Sequence, residues 1–128
     1  MRTLAIIVIA FVVFGVTLQY HFCAVYTEHA RHEQVVADSQ VLSTQLNVYK
    51  SVNGAYPTTE QGLRALVVGP TTSPKPSTWH QISSALPKDP WGSEYVYRCP
   101  GRIRPDKFDL FSAGPDHTPY TPDDDWGD

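Results

Sequence analysis

From Val16 to Asn53 the chain contains neither proline nor glycine. So long a stretch without a helix breaker reads as one continuous helix, and every other element must be arranged around it. Its two halves differ in the solvent they suit. No formally charged residue stands between Arg2 and Glu28. The run TLAIIVIAFVVFGVTLQYHF (Thr3 to Phe22) matches the ~20 apolar residues that cross a hydrocarbon core. It is long for the apolar region of a cleaved secretory signal, no small-x-small site follows it, and His21-Phe22-Cys23 before Ala24 is a poor lipoprotein box. Residues 1–27 are therefore expected to be an uncleaved transmembrane anchor and 28–128 a globular domain. Arg2 with the amino terminus favours a cytoplasmic N-terminus, and Tyr20, His21 and Tyr26 suit the opposite interface.

Beyond Glu28 the pattern becomes amphipathic. Apolar residues recur at Val35, Leu42, Leu46 and Tyr49, in steps of seven, four and three. Arg31, Glu33, Asp38, Gln40, Gln45 and Lys50 occupy the other faces. Asn53-Gly54 supplies the stop, with glycine free to take a left-handed cap. Tyr56-Pro57 then breaks the chain. Thr58 is placed to cap a short helix with Gln61 as its capping-box partner, and Leu63, Leu66 and Val67 give that helix one apolar face over about two turns. Gly69-Pro70 ends it, and TTSPKPSTWH reads as an exposed loop. SEYVYR (Ser93–Arg98) and KFDLFS (Lys107–Ser112) are expected strands, joined by CPGRIRPD as a hairpin connection. A small antiparallel sheet on the amphipathic half of the helix would bury both apolar faces, which makes the fold class α+β.

With a formal net charge of −3 and no stripe of Lys or Arg, nucleic-acid binding has little support. Two cysteines, Cys23 and Cys99, are too few for a disulfide framework, and their separation argues against a bridge within the chain. His21, His29 and His32 share a helix face with Cys23 nearby, but interfacial histidines beside a membrane explain them better than a metal does. Asp89 and Asp109 are a conceivable carboxylate pair, yet Asp89 between Lys88 and Pro90 reads as turn chemistry. Trp79, Trp91 and Trp126 are read as packing residues. No nucleophile-and-base arrangement has motif context, so an enzyme is not expected.

Three strings in order then carry a resemblance: LNVYKSVNGAYPTTEQGLRALV (Leu46–Val67), LPKDPWGSEYVYRCPG (Leu86–Gly101) and FDLFSAGPD (Phe108–Asp116), followed by the acidic tail TPDDDWGD. In these the chain resembles the G-type major pseudopilins of type II secretion systems. The resemblance implies a type IV pilin-like fold, in which a long N-terminal helix packs on a small antiparallel sheet before a calcium-binding C-terminal loop. It implies a non-catalytic subunit of a periplasmic filament, anchored once in the inner membrane and polymerising through its helix. That filament helps drive folded proteins across the outer membrane. The implied partners are copies of the chain itself, minor pseudopilins, an inner-membrane assembly platform and the membrane. The same fold, permanently anchored and not polymerising, would instead serve as a binding or adaptor module. Counting back from Tyr56, Met1 falls near the family's usual mature start, with Thr3 or Leu4 in the place of its glutamate. On that count the basic leader is absent, so either the start lies upstream or the chain escapes prepilin processing.

The tail crowds Asp116, Asp123, Asp124, Asp125 and Asp128 into the last thirteen residues. Such a cluster is ordinarily a solvated acidic face, and the spacing is not that of an EF-hand. Hard carboxylate oxygens would nonetheless suit Ca²⁺. Matched to the family loop, the resemblance implies side-chain ligands from Asp116, Asp123 and Asp124, with oxygens of Ala113, Thr118 and Thr121 contributing. His117 stands where the family often has glycine.

Overall fold

The computed structural model describes residues 2–128, with the side chains of 2–12 and 18 outside the description. The elements run in the order α1 (Arg2–Asn53), a 3-10 helix (Leu63–Leu66), β1 (Val96–Arg98) and β2 (Asp109–Phe111). The chain divides into two units, Met1–His32 and Glu33–Asp128. The first is helix alone. Phe14, Tyr20, Phe22, Val25 and Tyr26 are all exposed on it, and the Thr17 and Thr27 hydroxyls bond back to the carbonyls of Phe14 and Ala24. Among the described residues no helix is long and apolar enough to cross a membrane. Of the expected anchor at 1–27, the side chains of residues 1–12 and 18 lie outside the description.

In the second unit the amphipathic reading holds residue by residue. Val35, Leu42 and Leu46 are wholly buried and Tyr49 nearly so, each contributing about 1.5–3 kcal/mol of apolar burial. They meet Leu63, Leu66, Tyr95, Tyr97, Phe108 and Leu110 in one core. Tyr95 donates its hydroxyl to Asp38 of α1 at 2.8 Å, and Tyr97 donates to the Pro57 carbonyl at 2.7 Å. Burial raises the phenol pKa of both tyrosines well above its ordinary value. α1 stops where expected: Gly54 has φ of 82° and its N–H reaches the Lys50 carbonyl at 2.7 Å.

The capping box forms in both directions. Gln61 N–H donates to the Thr58 hydroxyl at 3.2 Å, and Thr58 N–H donates to Gln61 Oε1 at 3.1 Å. The segment beyond the box is not the expected two-turn helix. Gly62, with φ of 59°, interrupts the α-helical path, so a turn is followed by the single 3-10 turn Leu63–Leu66. The Gln61 amide nitrogen donates to the carbonyls of Thr72 and Pro74, both at 3.0 Å, and so fixes the following loop.

β1 and β2 pair antiparallel, with Val96 opposite Phe111, Tyr97 opposite Leu110 and Arg98 opposite Asp109. They are three residues each rather than the expected six, because the flanking backbone has other partners. Ser93 N–H goes to the Asp89 carboxylate at 2.7 Å. Lys107 N–H goes to the Arg104 carbonyl at 3.0 Å, and Ser112 exchanges both backbone bonds with Asp125.

Candidate functional site

The C-terminal loop leaves β2 at Ser112 and returns to it at Asp125, and its interior is organised by aspartates. Asp116 Oδ1 accepts Thr118 N–H at 2.7 Å. Asp123 Oδ2 accepts Asp116 N–H at 3.2 Å, and its Oδ1 lies 2.7 Å from the Thr121 hydroxyl. That hydroxyl bond is the chief influence holding the Asp123 carboxyl below its ordinary range. Asp124 Oδ2 accepts Tyr120 N–H at 2.7 Å, while Oδ1 is buried without a hydrogen-bond partner. Burial, followed by repulsion from Asp123 and Asp116, pushes the Asp124 carboxyl upward despite its bonds to backbone N–H groups. Gly114, with φ of 63°, brings its Cα against the Asp123 backbone, where a Cβ would collide with the carbonyl oxygen.

The six residues singled out from the sequence therefore lie in one loop. Among the described residues no three His, Cys, Asp or Glu side chains are disposed to hold a metal, so the carboxylates alone do not make a site. The loop's character still suits a hard cation. Its one unpartnered buried carboxylate oxygen, on Asp124, carries a desolvation cost that a cation would offset. His117, at φ of 56°, adopts the conformation natural to glycine. Its Nδ1 lies 2.6 Å from the Ser93 hydroxyl, outside the aspartate set.

Two carboxylates rejected as a catalytic pair are structural. Asp89 Oδ1 accepts the N–H groups of Trp91 and Ser93, and Oδ2 accepts the Ser112 hydroxyl at 2.5 Å. Asp109, wholly buried, accepts N–H bonds from Arg102, Ile103 and Arg104 and a hydroxyl bond from Tyr120 at 3.3 Å. Burial opposes its ionisation, but those donors hold its carboxyl below the ordinary range. The strand pattern did not show this role. The available signal was a charged residue at an inward position between the apolar Phe108 and Leu110. Trp126 stacks on Phe111 at 4.2 Å between centroids, and Trp79 donates to the Ala65 carbonyl at 2.9 Å, so both are packing residues. Cys23 and Cys99 are free thiols.

Residues 24–127 match the family model for the type II secretion system protein G. The chain belongs to that family. Over 99 residues it is 50% identical to the type II secretion system core protein G of Dickeya chrysanthemi, an alignment covering 76% of this chain and 63% of that protein. It is 43% identical to the core protein G of Pectobacterium carotovorum, covering 76% and 62%. The chain thus spans just under two thirds of the length of these two relatives. In structure it is similar to the crystal structure of the major pseudopilin of enterohaemorrhagic Escherichia coli, with a TM-score of 0.72, 42% identity and coverage of 77% of this chain and 87% of that one. This chain's long helix on a small two-stranded sheet is a pilin-like arrangement, and that protein has a pilin-like fold. The family is structural and non-enzymatic, and its members are membrane-associated periplasmic proteins.

Proposed function

We propose that this chain is a structural subunit of a type II secretion pseudopilus, polymerising through α1 to help move folded proteins across the outer membrane. Family membership supports the reading, and one observation carries it. The first unit is an unbroken helix with Phe14, Phe22 and Val25 all exposed, apolar surface that copies of the same helix or lipid would cover. The N-terminus would lie in the cytoplasm and the second unit in the periplasm, with minor pseudopilins and an inner-membrane platform as partners. Calcium would be held by Asp116, Asp123 and Asp124 with oxygens of Ala113, Thr118 and Thr121. There it would neutralise carboxylates that otherwise repel. The test is to produce the full chain in Gram-negative cells that carry a type II system, then shear and image the envelope. Filaments containing the chain are expected. Recovery solely as membrane-bound monomer would favour the anchored binding module instead.

A further inference from the structure

The hairpin between β1 and β2 ends in a built knob. Asp109, its charge wholly buried, accepts the N–H groups of Arg102, Ile103 and Arg104 in succession. Gly101 passes so close that a Cβ there would lie 2.5 Å from Asp109 Oδ1 and 2.6 Å from the Arg104 carbonyl. The tip held this way exposes an isoleucine: Ile103 is 61% accessible. The arginines on either side are also positioned, Arg102 over the Tyr120 ring at 4.9 Å and Arg104 over Trp126 at 5.7 Å while paired with the Asp128 carboxylate at 2.9 Å. A single exposed apolar side chain is unremarkable. A rigid apolar tip between two placed cations is a different object, because little ordering cost remains when it docks.

The same unit carries a groove of complementary character. It measures about 620 Å³ and is lined by Leu63, Val67, Leu86 and Pro87, with the carboxylates of Glu60 and Glu94 against one cation, Arg64, which leaves the lining net acidic. Both glutamates are exposed. The groove has an apolar floor and acidic groups, and the knob has an apolar tip and basic flanks. The knob does not fill the groove of its own chain, since Ile103 is largely open to solvent.

We infer that the Arg102-Ile103-Arg104 knob of one copy docks in the Glu60/Glu94 groove of the next. A contact of this kind joins two different surfaces, so each copy keeps one of them free and growth continues without closure. The inference rests on the filament reading and supplies it with a contact between globular units, separate from helix packing.

Charge exchange tests it on the full chain in detergent micelles at low salt, with self-association read by sedimentation. Chain one carries Arg102→Glu and Arg104→Glu, and chain two carries Glu60→Lys and Glu94→Lys. Each alone should associate on the order of tenfold more weakly than the parent. Mixed, they should recover association, because the acidic knob of one meets the basic groove of the other. A misfolded variant could not be rescued in this way. Undiminished association of either variant alone, or no recovery on mixing, overturns the contact while leaving helix-driven assembly standing. Failure of the parent chain to associate at all removes the filament reading as well.

Discussion

Asp109 shows how much one carboxylate can organise. It is fully buried, yet three consecutive backbone N–H groups and a tyrosine hydroxyl compensate its charge. Asp109→Asn keeps the size but turns a donor toward donors, so a loss of about 2–3 kcal/mol is expected in urea unfolding at pH 7. The same geometry fixes the sign of a pH effect. Because the folded carboxyl lies below its ordinary value, its contribution is present above the unfolded value of about 3.9 and lost as pH falls through the folded one. The stability gap between parent and Asp109→Asn should therefore narrow as unfolding is followed from pH 5 toward pH 2. Gly101→Ala belongs to the same site. With Asp109 and the Arg104 carbonyl inside 3.0 Å of the new Cβ, the backbone must shift, and about 1–3 kcal/mol should be lost by the same measurement. From the sequence Asp109 was visible only as a carboxylate in a strand. Its partners lie in an irregular loop whose backbone direction no periodicity reveals.

At the scale of elements, legibility followed how local the determinants were. The face Val35, Leu42, Leu46 and Tyr49 could be read because helix period alone decides it. The Thr58–Gln61 capping box could also be read, since its two bonds close within four residues. The two-turn helix after it could not, because Gly62 takes a left-handed φ that redirects the chain. The strands were placed correctly but drawn too long. Asp89, Arg104 and Asp125, distant in sequence or off the strand, take up their flanking backbone groups. Gln61 separates local from non-local roles experimentally. Gln61→Glu retains an acceptor for Thr58 N–H but sets a carboxylate against the carbonyls of Thr72 and Pro74, which now receive its amide protons. If capping alone mattered, Gln61→Glu would resemble the parent. Because the loop bonds matter too, it should lose about 2 kcal/mol, comparable with Gln61→Ala, in thermal or urea unfolding.

For the whole molecule the loop of aspartates and the helix are not independent. Asp125 pairs with Ser112 at the end of β2, Trp126 stacks on Phe111, and Gly127 packs so closely on α1 that a Cβ there would lie 3.1 Å from the Ser39 hydroxyl. Whatever tightens residues 116–124 thus holds the strap that returns to the helix. The carboxylate pattern was plain in the sequence, but the ligand set proposed for it came from resemblance, since backbone carbonyls leave no trace in residue type. Calcium that binds the folded loop and not the unfolded chain stabilises by mass action, about 2.7 kcal/mol at a hundredfold excess over Kd. For a unit of this size that corresponds to a rise in Tm of roughly 10 °C or more, reversed by chelator. Asp124→Asn separates this from a general effect of ionic strength. It removes the charge that burial, and then repulsion from Asp123 and Asp116, disfavours on Asp124, so the metal-free protein should melt no lower than the parent while the calcium-dependent rise is lost. An equal rise in parent and variant, or none in the parent, would remove Asp124 from the ligand set.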